Sequence, residues 1–373
     1  MKILCLIDHF GSGGAQRQMV YLALGLKSRG HIVEMFIYHP QFAFFREEVE
    51  CAGIPIHVGP SGRLRWIMIL FAFIKLVKKR RFDAIVSFLD TPNFLAELSR
   101  IASPRTLRIV SERSSRHGDK SMIGRLGKRF FHVFATRVVS NSQAHAEWLR
   151  GYFWLRKKVI TIYNGLPIPN ETSFAGPARS DQLRLVVIGR VGPEKNGLGL
   201  INALALFHRR NGFVPRLQWV GKRDLSVAGC LYTLSMEHAL MENPAVNERW
   251  EWLGERSDLP KLLAQNHVLI HPSFYEGLPN VICEALAAGL PVLASKVCDH
   301  PSLVQDGIRG FLFDPNDPSS IADSIEKLLE LSLDDLKGMS SNARSYAESC
   351  LGLDIMIDKY EALLTACKPN QNN

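Results

Sequence analysis

The strongest constraint on this chain is an alternation that runs its whole length, short apolar stretches separated by helix-length segments. The apolar stretches fall at 2–7, 31–38, 54–58, 83–88, 107–111, 137–141 and 159–163, and again at 183–188, 217–220, 250–253, 267–270, 291–294 and 310–312. Helix-like segments such as 15–29, 63–81, 281–288 and 318–331 lie between them. A strand covered on both faces reads as a continuous apolar run, and strands joined through helices pair in parallel. The pattern therefore predicts an α/β protein built of doubly wound parallel sheets. Residues 165–177 carry three prolines and no periodicity, so the alternation breaks there and then restarts. We expect a first domain at 1–165, a connector at 166–179, a second domain at 180–350, and a last helix at 351–367 that packs back towards the first domain.

With 46% hydrophobic and 22% charged residues, the chain has the makeup of a folded globular protein, which excludes disorder, collagen and coiled coil as overall classes. The net charge of +9 is uneven: residues 1–165 hold 26 Lys and Arg against 11 Asp and Glu, the remainder 19 against 25. A basic first half suits nucleic acid, an anionic membrane surface or a phosphorylated substrate, and charge alone does not choose. No nucleic-acid recognition motif is present and aromatics do not interleave with the basic clusters, so nucleic acid is not expected as a partner. The seven cysteines are scattered without a C-x-x-C pair, which suits a reducing compartment. No signal segment or membrane-spanning stretch is read, so a cytoplasmic location is expected.

In open parallel sheets ligands bind beyond the carboxyl ends of the strands, so the loops after strands are where chemistry is sought. The first, Gly11-Ser-Gly13-Gly14-Ala-Gln16, opens a helix. It reads either as an anion-facing turn or as a plain strand-to-helix turn; with Gln16 at the sixth position it is no dinucleotide fingerprint. The second, Gly189 to Asn196, sets Arg190 and Lys195 five residues apart beside a helix start. Such a fork and point cation suit the two phosphates of a diphosphate, or are solvated surface cations. The third, Ser273 to Glu284, brackets Gly277-Leu278-Pro279-Asn280 between Glu276 and Glu284, with seven residues separating the carboxylates.

Taken together, Gly13-Gly14-Ala-Gln-Arg17, Ser140-Asn141-Ser142, Tyr163-Asn164-Gly165, Gly189-Arg190, Lys195-Asn196 and the E-x7-E pair resemble the retaining glycosyltransferases of family GT4 over nearly the whole chain. The resemblance implies the GT-B fold, two Rossmann-like domains facing an inter-domain cleft. It implies that Arg190 and Lys195 hold the diphosphate of a nucleotide sugar and that Glu276 contacts the donor sugar. Gly277, Leu278, Asn280 and Val281 would line the sugar and phosphates, Glu284 would bind the ribose, and Gly13 and Gly14 would close on the phosphates. No cofactor and no metal is implied, because Arg and Lys neutralise the leaving diphosphate. A UDP-linked hexose or N-acetylhexosamine is the expected donor; the alternatives are a GDP-sugar-dependent mannosyltransferase and a nucleotide-sugar 2-epimerase of the same fold. Where many relatives carry a histidine, this chain has Ser111-Glu112-Arg113, and Arg113 is expected to take that place near the donor sugar.

Residues 63–81 set an apolar core, 66–74, between basic residues that include Arg63, Arg65, Lys75, Lys78 and Lys79. With Trp66 this segment reads as a helix lying at an anionic membrane surface, or as a buried helix with a solvated basic end. The similarity to transferases that extend polyprenyl-diphosphate-linked sugars extends to Ser87 to Thr91, read as a loop after a strand. It implies a lipid-linked saccharide acceptor and a peripheral position on the cytoplasmic face of a membrane.

Overall fold

The computed structural model describes all residues except 61–64, 114–126, 128, 170–173, 175, 178 and 368–373. The chain forms two compact units, the first made of residues 1–165 with 353–373 and the second of 166–352. The final helix, Leu353–Ala366, thus belongs to the first unit, and residues 166–169 of the expected connector bind within the second. There Leu166 N–H donates to Leu351 O at 2.9 Å, and Arg344 donates to the Pro169 carbonyl.

The first unit holds seven strands: β1 (Lys2–Leu6), β2 (Ile32–Ile37), β3 (Ile56–Val58), β4 (Ala84–Phe88), β5 (Leu107–Glu112), β6 (Arg137–Ser140) and β7 (Val159–Thr161). Their order is β3-β2-β1-β4-β5-β6-β7, with every pair parallel. The second unit holds β8 (Arg184–Ile188), β9 (Arg216–Val220), β10 (Trp250–Gly254), β11 (Val268–His271), β12 (Val292–Ser295) and β13 (Gly310–Phe313). Their order is β10-β9-β8-β11-β12-β13, again all parallel. Each apolar stretch of the sequence is a strand, with ends shifted by one or two residues, and each sheet reverses its winding once, between β1 and β4 and between β8 and β11. Those reversal points are where the loops at the carboxyl ends diverge and leave room for a ligand.

Apolar side chains cover both faces of the first sheet. Ile3, Cys5, Met35 and Ile109 point to one cluster, and Leu4, Leu6, Phe36 and Val110 to the other. The helix Gly14–Ser28 packs on the helix Leu353–Ala366 at Gly25, where an added Cβ would stand 2.1 Å from Ile357 Cδ1. An ion pair of Arg29 with Glu361 at 2.9 Å and a hydrogen bond between His31 and Glu361 at 2.8 Å fix the same crossing.

One sequence expectation is corrected here. Residues 87–91 are not a loop: Ser87 and Phe88 end β4, and the helix Asp90–Leu98 starts immediately. Leu89, at φ 77, makes the turn alone, and Pro92 is tolerated because the first turn of a helix needs no N–H from it. Ser87 donates to Asn93 at 2.7 Å within this corner.

In the second unit Gly221 lies at φ +150, and a Cβ there would stand 2.0 Å from Gly189 O. The close approach lets Gly189 N–H donate to Val220 O at 2.8 Å while Trp219 Nε1–H donates to Gly189 O at 3.0 Å. Gly221→Ala is expected to cost about 2–3 kcal/mol of stability and to displace the loop that starts at Gly189. Urea unfolding checks this, and a loss under about 0.5 kcal/mol would refute the tight contact.

Candidate functional site

The loop after β8 and the loop after β11 lie on either side of the second unit's reversal point. Beyond Gly189 and Arg190, Pro193–Lys195 forms a single tight turn, and Asn196, at φ +54, redirects the chain into the helix Gly197–Asn211. Asparagine tolerates this left-handed geometry. Its side chain caps the helix, accepting from Gly199 N–H at 3.2 Å, and donates to Pro315 O at 2.7 Å. The loop is tied to its neighbour by Phe274 N–H, which donates to Glu194 O at 2.9 Å.

The cations of the first loop are held by carboxylates. Arg190 is half exposed, donates to Glu194 Oε1 at 2.8 Å and lies 3.2 Å from Asp224 Oδ2. The hydrogen bond to Glu194, with the charges of Glu194 and Asp224, raises its pKa above the ordinary value. Lys195 is 15% exposed and forms an ion pair with Glu276 Oε1, the first carboxylate of the E-x7-E pair. Glu276 also accepts from His271 Nε2 at 3.0 Å. Burial by itself would raise the Glu276 pKa, but the His271 hydrogen bond and the Lys195 charge outweigh it and hold the carboxyl well below the usual range.

The helix Asn280–Ala287 follows, with Pro279 before its first turn. Leu278 is buried, Gly277 and Val281 are partly exposed, and Asn280 is exposed at the helix start. Glu284 is the fifth helical residue, one turn in, and half-buried. No side chain caps this helix start, and a helix N-terminus is suited to an anionic ligand.

The remaining candidates belong to the first unit. Gly13 is extended and Gly14 begins the helix Gly14–Ser28, while Gln16 turns back to donate to Asp8 at 2.9 Å. Arg113 follows β5, donates to Asn164 Oδ1 at 2.6 Å, lies over the Phe88 ring at 3.5 Å from its centroid, and neighbours Tyr360. The structure thus joins it to the Tyr163-Asn164-Gly165 motif. Burial lowers its pKa, yet a guanidinium starting from so high a value keeps its charge.

Of the membrane-surface candidates, Arg63 lies outside the described residues. Arg65 begins the helix Arg65–Arg80 and turns inward, donating to Tyr38 O at 3.0 Å and contacting His39. That helix buries Ile69, Phe73 and Val77 yet leaves Trp66 54% and Phe71 67% exposed, with Lys75, Lys78 and Lys79 exposed beyond them. No helix among the described residues is long and apolar enough to cross a membrane.

Sequence reading missed Asp224, His271 and Cys298, each brought to the site by a different strand end. His271 could have been found from its place five residues before Glu276, at the end of an apolar run. Asp224 and Cys298 carry no local signal.

Comparisons with known proteins agree with this geometry. Residues 170–346 match the family model described as glycosyl transferases group 1, and residues 12–168 match glycosyltransferase family 4. The chain is 25% identical to the Campylobacter jejuni GalNAc-alpha-(1->4)-GalNAc-alpha-(1->3)-diNAcBac-PP-undecaprenol alpha-1,4-N-acetyl-D-galactosaminyltransferase, covering 97% of each chain. It is 23% identical to the Escherichia coli UDP-Gal:alpha-D-GlcNAc-diphosphoundecaprenol alpha-1,3-galactosyltransferase, covering 87% of this chain and 86% of that one. Among solved structures, Anabaena HepE in complex with UDP superposes with a TM-score of 0.82 at 22% identity, covering 98% of this chain and 100% of that one. Two parallel-sheet units that match family models across nearly their whole length give one conclusion: the chain belongs to the GT-B glycosyltransferases, family 4 in its first unit and group 1 in its second.

Proposed function

We propose that this glycosyltransferase moves a hexose or N-acetylhexosamine, with retention of anomeric configuration, from a UDP-sugar to a polyprenyl-diphosphate-linked saccharide. The observation that carries the donor half of the reading is the cluster at the reversal point of the second sheet. There Lys195 pairs with Glu276 and Arg190 with Glu194 and Asp224, in the loops that lead to the start of the helices Gly197–Asn211 and Asn280–Ala287. A departing diphosphate gains negative charge as the glycosidic bond breaks, and cations already oriented by carboxylates stabilise it without reorganising. Positioning of donor and acceptor supplies the rest of the rate. Glu276 orients the donor sugar and Glu284 takes the ribose.

The acceptor half rests on the undecaprenyl-diphosphate-linked acceptors of the relatives named above and on the exposed apolar and basic face of the helix Arg65–Arg80. That face would lie on the anionic headgroups of the cytoplasmic leaflet and bring the active unit to a lipid-linked substrate.

The test of the donor reading is calorimetric titration of the purified protein with UDP and with GDP, each with and without EDTA. We expect UDP to bind in both conditions and Glu284→Ala to weaken it about 10-fold, as loss of a charged hydrogen-bond acceptor should. A GDP preference would redirect the donor to a GDP-sugar, and binding of neither nucleotide would refute the site. For the acceptor half, replacing Lys75, Lys78 and Lys79 together by Ala should lower affinity for vesicles of anionic lipid about 100-fold, at about 1 kcal/mol for each cation. Co-sedimentation reads this directly; unchanged binding would remove the membrane assignment of this helix.

A further inference from the structure

Glu276 is held at both its ends by residues outside the E-x7-E motif. Its carboxylate oxygen Oε1 meets both Lys195 Nζ and His271 Nε2, the latter at 3.0 Å. Its other oxygen, Oε2, has no hydrogen-bond partner among the described residues and is left to accept from a ligand hydroxyl. Its backbone N–H donates to Cys298 Sγ at 3.4 Å. Cys298 sits at φ +47, in the left-handed region that few residues other than glycine adopt, and such local strain persists only where the surroundings hold it.

His271 is itself fixed on a rigid element. It is the last residue of β11 and pairs in register with Ala294 of β12. Its side chain is 1% exposed and its ring meets the His300 ring edge-on at 5.3 Å. The Ser273 hydroxyl lies 3.1 Å from the same Nε2. His300 donates from Nδ1 to Ser295 O at 2.8 Å, and Ser295 in turn donates to Ser273 O at 2.5 Å, so the support reaches back through β12.

We propose that His271 is a positioning residue of the donor-sugar site: as an Nε2–H donor it locks Glu276 Oε1 against Lys195, so that Oε2 alone faces the sugar hydroxyls. A carboxylate cannot donate, so Nε2 must carry the proton and Nδ1 is bare. Burial lowers the His271 pKa against the pull of Glu276, with Lys195 acting in the same direction as burial, and the ring is neutral. A neutral donor orients the carboxylate without placing a second positive charge beside Lys195. The diphosphate then meets the charge of Lys195 and Arg190 only, and His271 governs the sugar alone.

This inference rests on the donor reading above, and its test separates the two. UDP, UDP-glucose and UDP-N-acetylgalactosamine are titrated calorimetrically against the wild-type protein, His271→Leu and His271→Gln. In His271→Leu we expect UDP affinity within about 3-fold of wild type, while affinity for a UDP-sugar relative to UDP falls about 10-fold, the effect of losing one hydrogen bond to a charged group. His271→Gln carries its amide N–H close to where the imidazole Nε2–H was, and should restore the ratio to within about 3-fold. Parallel loss of UDP and UDP-sugar in His271→Leu, no loss of either, or failure of His271→Gln to rescue would overturn the proposal and leave the donor reading standing. A wild-type protein that binds neither UDP nor GDP would overturn both.

Discussion

Replacing Glu112 by Gln is expected to destabilise the first unit by about 3–5 kcal/mol, the cost of removing a shared anion from a buried charge network. Glu112 ends β5 and is 2% exposed. Its Oε1 meets His132 Nε2 at 2.7 Å, and its Oε2 meets His145 Nε2 at 2.9 Å and Arg129 at 3.1 Å. The other nitrogen of His132, Nδ1, lies 2.5 Å from Glu97 Oε1. All five side chains are buried, so an amide at 112 would leave Arg129 and the His132 cation facing each other without an intervening anion. Substituting the network as a whole by apolar residues would not carry the same cost, because it removes the charges together with their partners.

The pH dependence of this effect has a definite sign. Burial alone would lower the His132 pKa, but hydrogen bonds to Glu112 and Glu97 and their charges raise it to about 9 from an ordinary 6.5. Its contribution is therefore fully present below about 6.5 and is lost as pH rises through about 9. Burial would raise the Glu112 pKa, yet His132, His145 and Arg129 hold it well below the ordinary 4.5, so its contribution is present above 4.5 and is lost as pH falls below that range. Glu97, whose pKa burial raises, works against stability above the carboxylate range. Urea unfolding at pH 6 and pH 9 reads the His132 effect. The wild type should lose stability between the two, and Glu112→Gln should start lower and lose less, since His132 keeps only Glu97. A variant within about 1 kcal/mol of wild type at pH 6 would sink this account.

The contrast between this network and the strands beneath it shows what the sequence made legible. Every strand was readable because a parallel sheet covered on both faces writes itself as apolar runs, as in residues 84–88 and 107–111. Loops bearing Arg190, Lys195 and Glu276 were readable because their chemistry sits next to those runs. The partners were not. Glu97, Glu112, His132 and His145 stand on four different elements, and Asp224 reaches Arg190 from the loop after β9. Pairing of this kind depends on which strand lies beside which, and no local pattern records it. Residues 87–91 were misread because Leu89 alone makes the turn and the helix begins at Asp90, with Pro92 accepted in its first turn.

Lys195→Met is expected to lower turnover by about 10²–10³-fold, the usual consequence of removing one preorganised group from the charge that develops in a transition state. Methionine keeps much of the length and apolar stem, so packing beside Gly189, whose Cα direction faces the Lys195 side chain, is retained. What is lost is the cation paired with Glu276, which on the proposed reading also meets the leaving diphosphate. Glu276 keeps its hydrogen bond from His271, and folding should therefore survive, in contrast to Glu112→Gln. With the Lys195 charge gone, burial acts on Glu276 with only His271 opposing it, and its pKa moves up towards the ordinary carboxylate range. The residual activity should for that reason fall off at a higher pH on acidification than that of the wild type. Release of nucleoside diphosphate, measured with a polyprenyl-diphosphate-linked saccharide acceptor from about pH 4 to about pH 8, reads both. Turnover within 10-fold of wild type, on the order of 1.4 kcal/mol of barrier, would mean that Lys195 orders Glu276 but does not meet the diphosphate, and the charge stabilisation would then have to come from Arg190 alone.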